Sequence, residues 1–152
     1  MRTITLEEHF GSPGFLAGPG KEFMERIRTG GPRGAKIYEQ LKDIGDKRIA
    51  DMDAANIDMQ VLSQNSPGVE QADAAEQISA ARESNDFLAD AVKKHPTRFA
   101  AFAALPTASP EKAAEEFDRR VRQQGFKGAL INGHTRGRYL DDKFFWPILE
   151  RA

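Results

Sequence analysis

Residues 3–10, TITLEEHF, predict a short buried strand near the start of the chain, because β-branched and apolar residues run up to two acids and a histidine. A glycine and a proline soon afterwards end the strand. Side chains alternate between the two faces of a strand. Ile4 and Leu6 therefore share one face, which we expect to pack on helices, whereas Glu7 and His9 share the other.

The second face of this strand carries a carboxylate and an imidazole two residues apart, at Glu7 and His9. At the C-terminal end of a parallel strand, such a pair suits a divalent metal ion. Alternation favours Glu7 over Glu8 as the ligand, since Glu8 falls on the side of Ile4 and Leu6. The competing interpretation is an exposed edge strand that ends in solvated polar residues.

The composition is typical of one globular domain and argues against some classes of binding partner. The chain has 152 residues, 39% of them hydrophobic, with 22 basic and 23 acidic side chains and a formal net charge of −1. This balance argues against nucleic acid or an anionic membrane as a partner. The absence of cysteine excludes disulfides and thiolate chemistry. No apolar run suits a signal peptide or a membrane span, so we expect a cytoplasmic protein.

Hydrophobic periodicity predicts strands that alternate with helices, which is typical of a parallel sheet with helical crossovers. The predicted strands are residues 3–10, 57–63, 98–105 and 126–132. The predicted helices are residues 35–44, 47–55, 72–94, 110–124 and 141–152. Residues 11–34, rich in glycine and proline, are expected to form a long irregular loop with a helical turn or two at 23–28. No glycine motif of a nucleotide-binding site follows the first strand, which argues against nucleotide binding.

The end of the chain lies inside an amphipathic segment. Trp146, Ile148 and Leu149 have little sequence after them to pack beneath, and neither glycine nor proline ends the helix. We therefore expect the sequence to be a piece of a longer one.

Four segments carry a resemblance to a known family: residues 6–10 (LEEHF), 48–53 (RIADMD), 99–106 (FAAFAALP) and 128–134 (GALINGH). In this order and spacing, they resemble the amidohydrolase-2 branch of the amidohydrolase superfamily over all 152 residues. The sequence is most similar to the metal-dependent aromatic-acid decarboxylases of that branch, those acting on γ-resorcylate, 2,3-dihydroxybenzoate and 5-carboxyvanillate.

The resemblance implies an α/β fold, because the family forms a (β/α)8 TIM barrel. Such a barrel needs roughly 250 residues. Residues 1–152 would then be a partial barrel domain, the N-terminal half, with about four parallel strands and helical crossovers. The domain would stop after the fourth strand and the helix that follows it.

The resemblance also implies roles for individual residues. Glu7 and His9 match the family's metal ligands on the first strand, with zinc or manganese as the divalent metal. Asn132 and His134 match the loop after the fourth strand that faces the substrate, a small aromatic carboxylate. Arg48 matches a position that approaches the substrate carboxylate in some members.

The same resemblance leaves the chain incomplete as an enzyme. The family's remaining metal-binding histidine and aspartate and its catalytic histidine belong to later strands, so no catalytic residue is assigned here. His95, at a helix end before Pro96, is assigned to helix capping. We expect the 152 residues alone to bind metal weakly and to turn over nothing, and the complete enzyme to be a homodimer or homotetramer.

Three interpretations of function stay open at this point. The first is the N-terminal part of a decarboxylase (a carboxy-lyase) that acts on a hydroxybenzoate. The second is a metal-dependent hydrolase of the same superfamily, such as a lactonase. The third is a half-barrel without catalytic activity, an assembly module whose open sheet edges would be buried by self-association.

Overall fold

The computed structural model describes all residues, 1–152, around a four-stranded parallel sheet in the order β1-β2-β3-β4. The strands are β1 (Ile4–Phe10), β2 (Met59–Gln64), β3 (Phe99–Ala103) and β4 (Gly128–Ala129). The helices are α1 (Pro13–Ala17), α2 (Lys21–Thr29), α3 (Pro32–Lys42), α4 (Asp46–Ala54), α5 (Ala74–Lys94), α6 (Pro110–Gln124) and α7 (Trp146–Arg151). A 3-10 turn, Lys143–Phe145, precedes α7. The predicted α/β fold with four parallel strands and helical crossovers is confirmed.

Residues 11–34 differ from the prediction, because three helices occupy most of this segment. Its glycines and prolines lie mainly at helix ends. Pro13 and Pro32 stand in the first turns of α1 and α3, and Gly20 and Gly31 occupy the cap positions before α2 and α3. Proline suits a first helical turn, since the N–H that it lacks would have no partner there. The glycine and proline content therefore suggested a loop, although these residues lie where three helices start.

β1 is an edge strand with a bulge in its middle. Thr5 pairs with Gln60 and Glu8 pairs with Leu62, so β1 holds one more residue than β2 between these two pairings. Glu7 lies inside the bulge with a φ of 57°, which is uncommon for a residue other than glycine. An extra residue reverses the alternation of side chains between the two halves of the strand.

This reversal places Ile4 on the same face as His9, because their β2 partners, at positions 59 and 63, share a face. The core helices do not cover Ile4 and Leu6, which are 49% and 62% exposed. The prediction that these two residues pack on helices is therefore wrong. The prediction that Glu8 lies on the side of Ile4 is also wrong, because their partners on β2, Leu62 and Met59, face opposite ways. Glu8 and His9 nevertheless lie on opposite faces, since they pair with adjacent residues of β2.

The main core lies between the opposite face of the sheet and the helices. Its buried strand residues are Phe10, Leu62, Phe99, Ala101 and Ala103, and its buried helix residues include Met52, Leu88, Ala113, Phe117 and Ile148. Each large apolar side chain buried in this way stabilises the fold by roughly 1.5–3 kcal/mol. None of the helices that surround the sheet is long and apolar enough to cross a membrane.

α6 shows how a buried charge can replace a predicted apolar contact. The helical spacing that places Ala113 and Phe117 in the core predicts Val121 as a core residue too, yet Val121 is 38% exposed. Arg120 is the fully buried residue instead, and its guanidinium donates to Glu116 at 2.6 Å and pairs with Asp86 at 2.7 Å. These partners compensate the buried charge, so the helix turns Arg120 rather than Val121 inward. Gly125 ends the helix with a φ of 71°, as predicted.

Candidate functional site

The two predicted metal ligands, Glu7 and His9, are called here the metal pair and lie in one open cleft of about 560 Å³. His9 is half-buried, and its Nδ1 lies 3.1 Å from the hydroxyl oxygen of Ser63 on β2. When Nδ1–H donates to that hydroxyl, Nε2 keeps a lone pair for a cation. Glu7 is exposed at the bulge and lines the same cleft.

The donor types of the metal pair fit a divalent metal, since imidazole and carboxylate suit zinc and manganese. No group of three or more histidine, aspartate or glutamate side chains in the chain is arranged to hold an ion. Catalytic zinc sites use three protein ligands. The metal pair therefore fits part of a metal site and needs at least one ligand from elsewhere.

Arg48, on α4, lines the same cleft but is engaged with the protein itself. Its guanidinium donates to four oxygens: the main-chain oxygens of His9 (2.7 Å), Asp43 (2.7 Å) and Gln40 (3.2 Å) and the side-chain oxygen of Gln60 (3.3 Å). Burial lowers the pKa of Arg48, and the carboxylates of Glu8, Asp43 and Asp51 offset part of this effect. The side chain ties α3 and α4 to β1, which is a structural role. Its predicted contact with a substrate carboxylate stays a prediction.

The loop that follows β4, residues 130–138, is called here the β4 loop and carries Asn132 and His134. The main-chain N–H of Asn132 donates to Glu70 at 2.7 Å. The Nδ1 of His134 accepts from the N–H of Gly137 at 3.0 Å, and its ring packs edge-on against Tyr139. Strands are spaced about 4.8 Å apart, so β4 lies about 14 Å from β1 along the sheet. Asn132 and His134 are therefore not in the cleft of the metal pair.

Glu70 is the buried acid that the sequence analysis missed. It lies in the loop after β2, residues 65–73 (the β2 loop), and only 1% of its surface is exposed. Burial raises the pKa of Glu70 to about 6, although main-chain N–H donors, that of Asn132 foremost, offset part of the shift. Its Oε2 has no hydrogen-bond partner. Perturbed carboxyl groups of this kind are frequent at functional sites.

Buried polar residues of α5 hold the ends of the strands in place. The side chain of Asn85 accepts from the N–H of Ala104 at 2.8 Å and donates to its carbonyl at 2.9 Å. Ser84 donates to the Gln64 side chain at 2.6 Å, and Gln64 in turn donates to the main chain of Phe10. Helical periodicity predicts an apolar stripe on α5 at Ala74, Ile78, Ala81, Leu88 and Val92. It leaves the polar residues out, because their partners lie on other segments.

His95 and Asp53, two polar side chains outside the predicted site, have structural surroundings. His95 ends α5, and its ring lies edge-on to Phe99, with the centroids 5.7 Å apart. Asp53 accepts from Arg98 at 2.7 Å. These contacts give both side chains a role in local structure.

Comparison with known proteins identifies the family. The Amidohydro_2 model, which describes amidohydrolases, matches residues 38–152. The match covers well over half of the sequence, so the chain belongs to the amidohydrolase family, as the sequence resemblance indicated. The metal pair lies before the matched range, in a part that the solved structures described below cover.

Curated relatives point to one activity within the family. The chain is 40% identical to γ-resorcylate decarboxylase from Polaromonas sp. (strain JS666), over 97% of this chain and 45% of that protein. It is 41% identical to γ-resorcylate decarboxylase from Rhizobium sp. (strain MTP-10005), over 87% of this chain and 39% of that protein. The chain thus spans less than half the length of these relatives.

Solved structures give the same result. 5-Carboxyvanillate decarboxylase from Novosphingobium aromaticivorans, with bound manganese, matches 99% of this chain and 47% of its own, at 36% identity and a TM-score of 0.91. Dihydroxybenzoic acid decarboxylase from Polaromonas sp. JS666, with bound manganese and 2-nitroresorcinol, matches 99% of this chain and 46% of its own, at 38% identity and a TM-score of 0.85. The predicted fold, the N-terminal half of the family's TIM barrel, is confirmed.

Proposed function

We propose that the chain supplies the N-terminal part of a metal-dependent carboxy-lyase that removes the carboxyl group of a hydroxybenzoate as CO2, without oxidation. The observation that carries this proposal is the match, at about 40% identity over almost the whole chain, to γ-resorcylate decarboxylases. The cleft with the metal pair supports it, because its side chains are those that bind a divalent cation.

A divalent metal, manganese or zinc, would be held by Glu7 and His9. When bound, it would act as a template and Lewis acid for an aromatic substrate that carries a carboxylate beside a phenolic oxygen. Ser63 orients the imidazole of His9 through its hydroxyl group. Bound manganese in the structures of two relatives supports manganese, whereas zinc rests on the family resemblance alone.

The β4 loop would bind the organic part of the substrate. Asn132 offers an amide that can donate to a phenolic or carboxylate oxygen, and His134 offers a ring that can donate or stack. Loss of CO2 requires a proton at the ring carbon that carried the carboxylate. No residue of this chain is assigned to deliver that proton, so the acid would come from another part of the complete barrel.

Two other interpretations receive less support. A lactonase-like hydrolase would use the same metal pair to activate water, but the curated relatives named above are decarboxylases. A half-barrel assembly module would need its exposed β1 to be covered by another copy, and the solved relatives accommodate this strand within a longer chain. A homodimer or homotetramer and a cytoplasmic location remain predictions for the complete enzyme.

The decisive experiment is a substrate panel on the natural gene product that carries these residues. Purified with Mn²⁺, it should convert at least one of γ-resorcylate, 2,3-dihydroxybenzoate and 5-carboxyvanillate to the decarboxylated phenol and CO2, measured by chromatography and gas evolution. Hydrolysis of a lactone panel with no CO2 release would overturn the proposal. Residues 1–152 alone should show no turnover, because they provide only two metal ligands.

A matched pair of variants tests the metal assignment. Glu7→Gln should weaken Mn²⁺ binding about tenfold or more, since it removes a charged ligand. Glu8→Gln changes the neighbouring carboxylate, which lines the same cleft but lies on the face of β1 opposite His9, and should leave Mn²⁺ affinity within about twofold. Isothermal titration calorimetry with Mn²⁺ measures the affinity of the two variants. If Glu8→Gln has the larger effect, the assignment of Glu7 is wrong.

A further inference from the structure

Glu70 joins the loops that follow two non-adjacent strands. It belongs to the β2 loop, yet its Oε1 accepts the main-chain N–H of Asn132 in the β4 loop at 2.7 Å. The carboxyl group is almost completely buried, and Gly68 packs directly over it. A Cβ at position 68 would overlap both Glu70 Oε2 and the Asn132 side-chain nitrogen. The three residues therefore form one close-packed contact.

Neighbouring hydrogen bonds join the two loops to each other and to the elements beside them. The side-chain amide of Gln71 donates to the main-chain oxygen of His134. The hydroxyl oxygens of Thr107, which follows β3, and Thr135 lie 2.6 Å apart in a buried hydrogen bond. The side chain of Gln77 on α5 donates to the main-chain oxygen of Glu70 at 3.0 Å. The position of Glu70 is therefore fixed by its neighbours, and its hydrogen bond to Asn132 fixes the β4 loop in turn.

We propose that Glu70 is a positioning residue, which sets the place of Asn132 and His134 in the β4 loop and thereby the affinity of this loop for an aromatic carboxylate. The ligand in this statement rests on the proposed function. The contact between Glu70 and Asn132 does not rest on the proposed function, because it is present in the folded chain without a ligand.

The charged groups nearby do not neutralise the carboxylate of Glu70. The elements packed around it carry His134 and Arg136 in the β4 loop, Asp73 and Glu76 at the start of α5, and Lys21 and Glu22 on α2. None of the basic groups forms a salt bridge with Glu70, and Arg136 lies 3.6 Å from Asp73 instead. The pKa of Glu70, raised by burial to about 6, reflects this isolation. Above that pH, opening of the loop would hydrate an ionised carboxylate, so the β4 loop should open more readily.

The test is the amide signal of Asn132, followed by ¹⁵N NMR in protein labelled only at asparagine. Residues 1–152 contain four asparagines, Asn56, Asn65, Asn85 and Asn132, and an Asn132→Gln variant identifies the signal of Asn132 by its loss. In the wild type, the Asn132 signal should shift with pH, with a midpoint near 6. Glu70→Gln keeps an acceptor oxygen but cannot ionise, so this titration should vanish while the signal stays near its low-pH position. Glu76→Gln, an exposed acid of α5, should leave the titration unchanged.

Ligand affinity supplies the second readout. In the complete enzyme, Glu70→Ala removes the acceptor and should raise the KM for 2,6-dihydroxybenzoate about tenfold, whereas Glu70→Gln should stay within about twofold of wild type near pH 5.5. An Asn132 titration that persists in Glu70→Gln would identify His134 or another group as its source and overturn the proposal. Equal affinity of wild type and Glu70→Ala would overturn it as well.

The two proposals fail in different ways. If no hydroxybenzoate binds to any form while the Asn132 titration still depends on Glu70, the proposed function is wrong and the structural contact stands. If 2,6-dihydroxybenzoate binds and is decarboxylated but Asn132 does not respond to Glu70, the positioning role is wrong and the function stands. Should Glu70→Ala fail to fold, Glu70→Gln alone still decides the titration.

Discussion

β1 and β2 are neighbours in one sheet, yet β2 is buried between two strands whereas β1 is a mostly exposed edge strand. In β2, residues 60–64 are all buried, and its polar side chains bond to α5 and β1. In β1 only Phe10 is buried, and a bulge at Glu7 breaks the pairing. In a closed barrel every strand has two neighbours, whereas β1 has one here. The metal pair therefore lies on the strand that the rest of residues 1–152 constrains least.

Removing Asn85 should produce the largest loss of stability on the well-held side of this comparison. Asn85→Ala leaves the N–H and carbonyl of Ala104 without a partner and removes one of the donors to Glu116, which keeps Arg120. We expect the free energy of unfolding to fall by about 4 kcal/mol, measured by urea denaturation. Gln123→Ala, an exposed amide on α6, is the control and should change it by less than about 0.5 kcal/mol. A loss under about 1 kcal/mol in Asn85→Ala would show that α5 does not hold β3.

The two glycines with a φ of 71° near Glu70 separate backbone strain from steric overlap. Gly68→Ala should cost about 3 kcal/mol, because the new Cβ meets the Glu70 carboxylate and the Asn132 amide. Gly133→Ala has the same φ but open space around its Cβ, so it should cost only about 1 kcal/mol. Thermal and urea unfolding of the two variants give the difference. Equal costs would mean that the contact of Gly68 with Glu70 is loose.

The pH dependence of stability isolates the charge of Glu70. Its pKa in the folded protein, about 6, lies above the ordinary value of 4.5, so folding favours the neutral acid. The stability that this preference provides is complete below pH 4.5 and is lost as the pH rises through 6. Relative to Glu70→Gln, the wild type should therefore lose about 2 kcal/mol between pH 4.5 and pH 7.5. Urea denaturation of both proteins at each pH measures this difference. If the free energy of unfolding depends on pH in the same way for both, the prediction is contradicted.

Ser63→Ala tests whether β2 helps to order the metal pair on β1. The variant removes the hydroxyl beside the Nδ1 of His9, which is 3.1 Å away. We expect Mn²⁺ affinity of the complete protein to fall about tenfold while unfolding free energy changes by less than about 1 kcal/mol. Ser79→Ala, an exposed serine on α5, is the control. Unchanged Mn²⁺ affinity in Ser63→Ala would show that His9 is oriented without its neighbour strand.

Local patterns predicted much of the fold. Apolar periodicity located the four strands and the long helices, and Gly125 marked the end of α6 because a left-handed residue there suits glycine. The same approach failed for residues 11–34, where the proportion of glycine and proline suggested a loop although their positions start helices. It also failed for β1, because one extra residue reverses the faces and no propensity scale marks a bulge.

The sequence by itself determined the alternation of strands and helices and the kinds of side chain at the metal pair, since these depend on neighbours a few residues apart. It also indicated the family, through the resemblance of four segments along the chain. Only the tertiary structure decided that Glu70, Asn85 and Arg120 are buried and that Ile4 is exposed. Glu70 meets Asn132 across 62 positions of sequence. Burial of a polar group depends on partners that distant segments bring to it, and periodicity along one segment cannot report them.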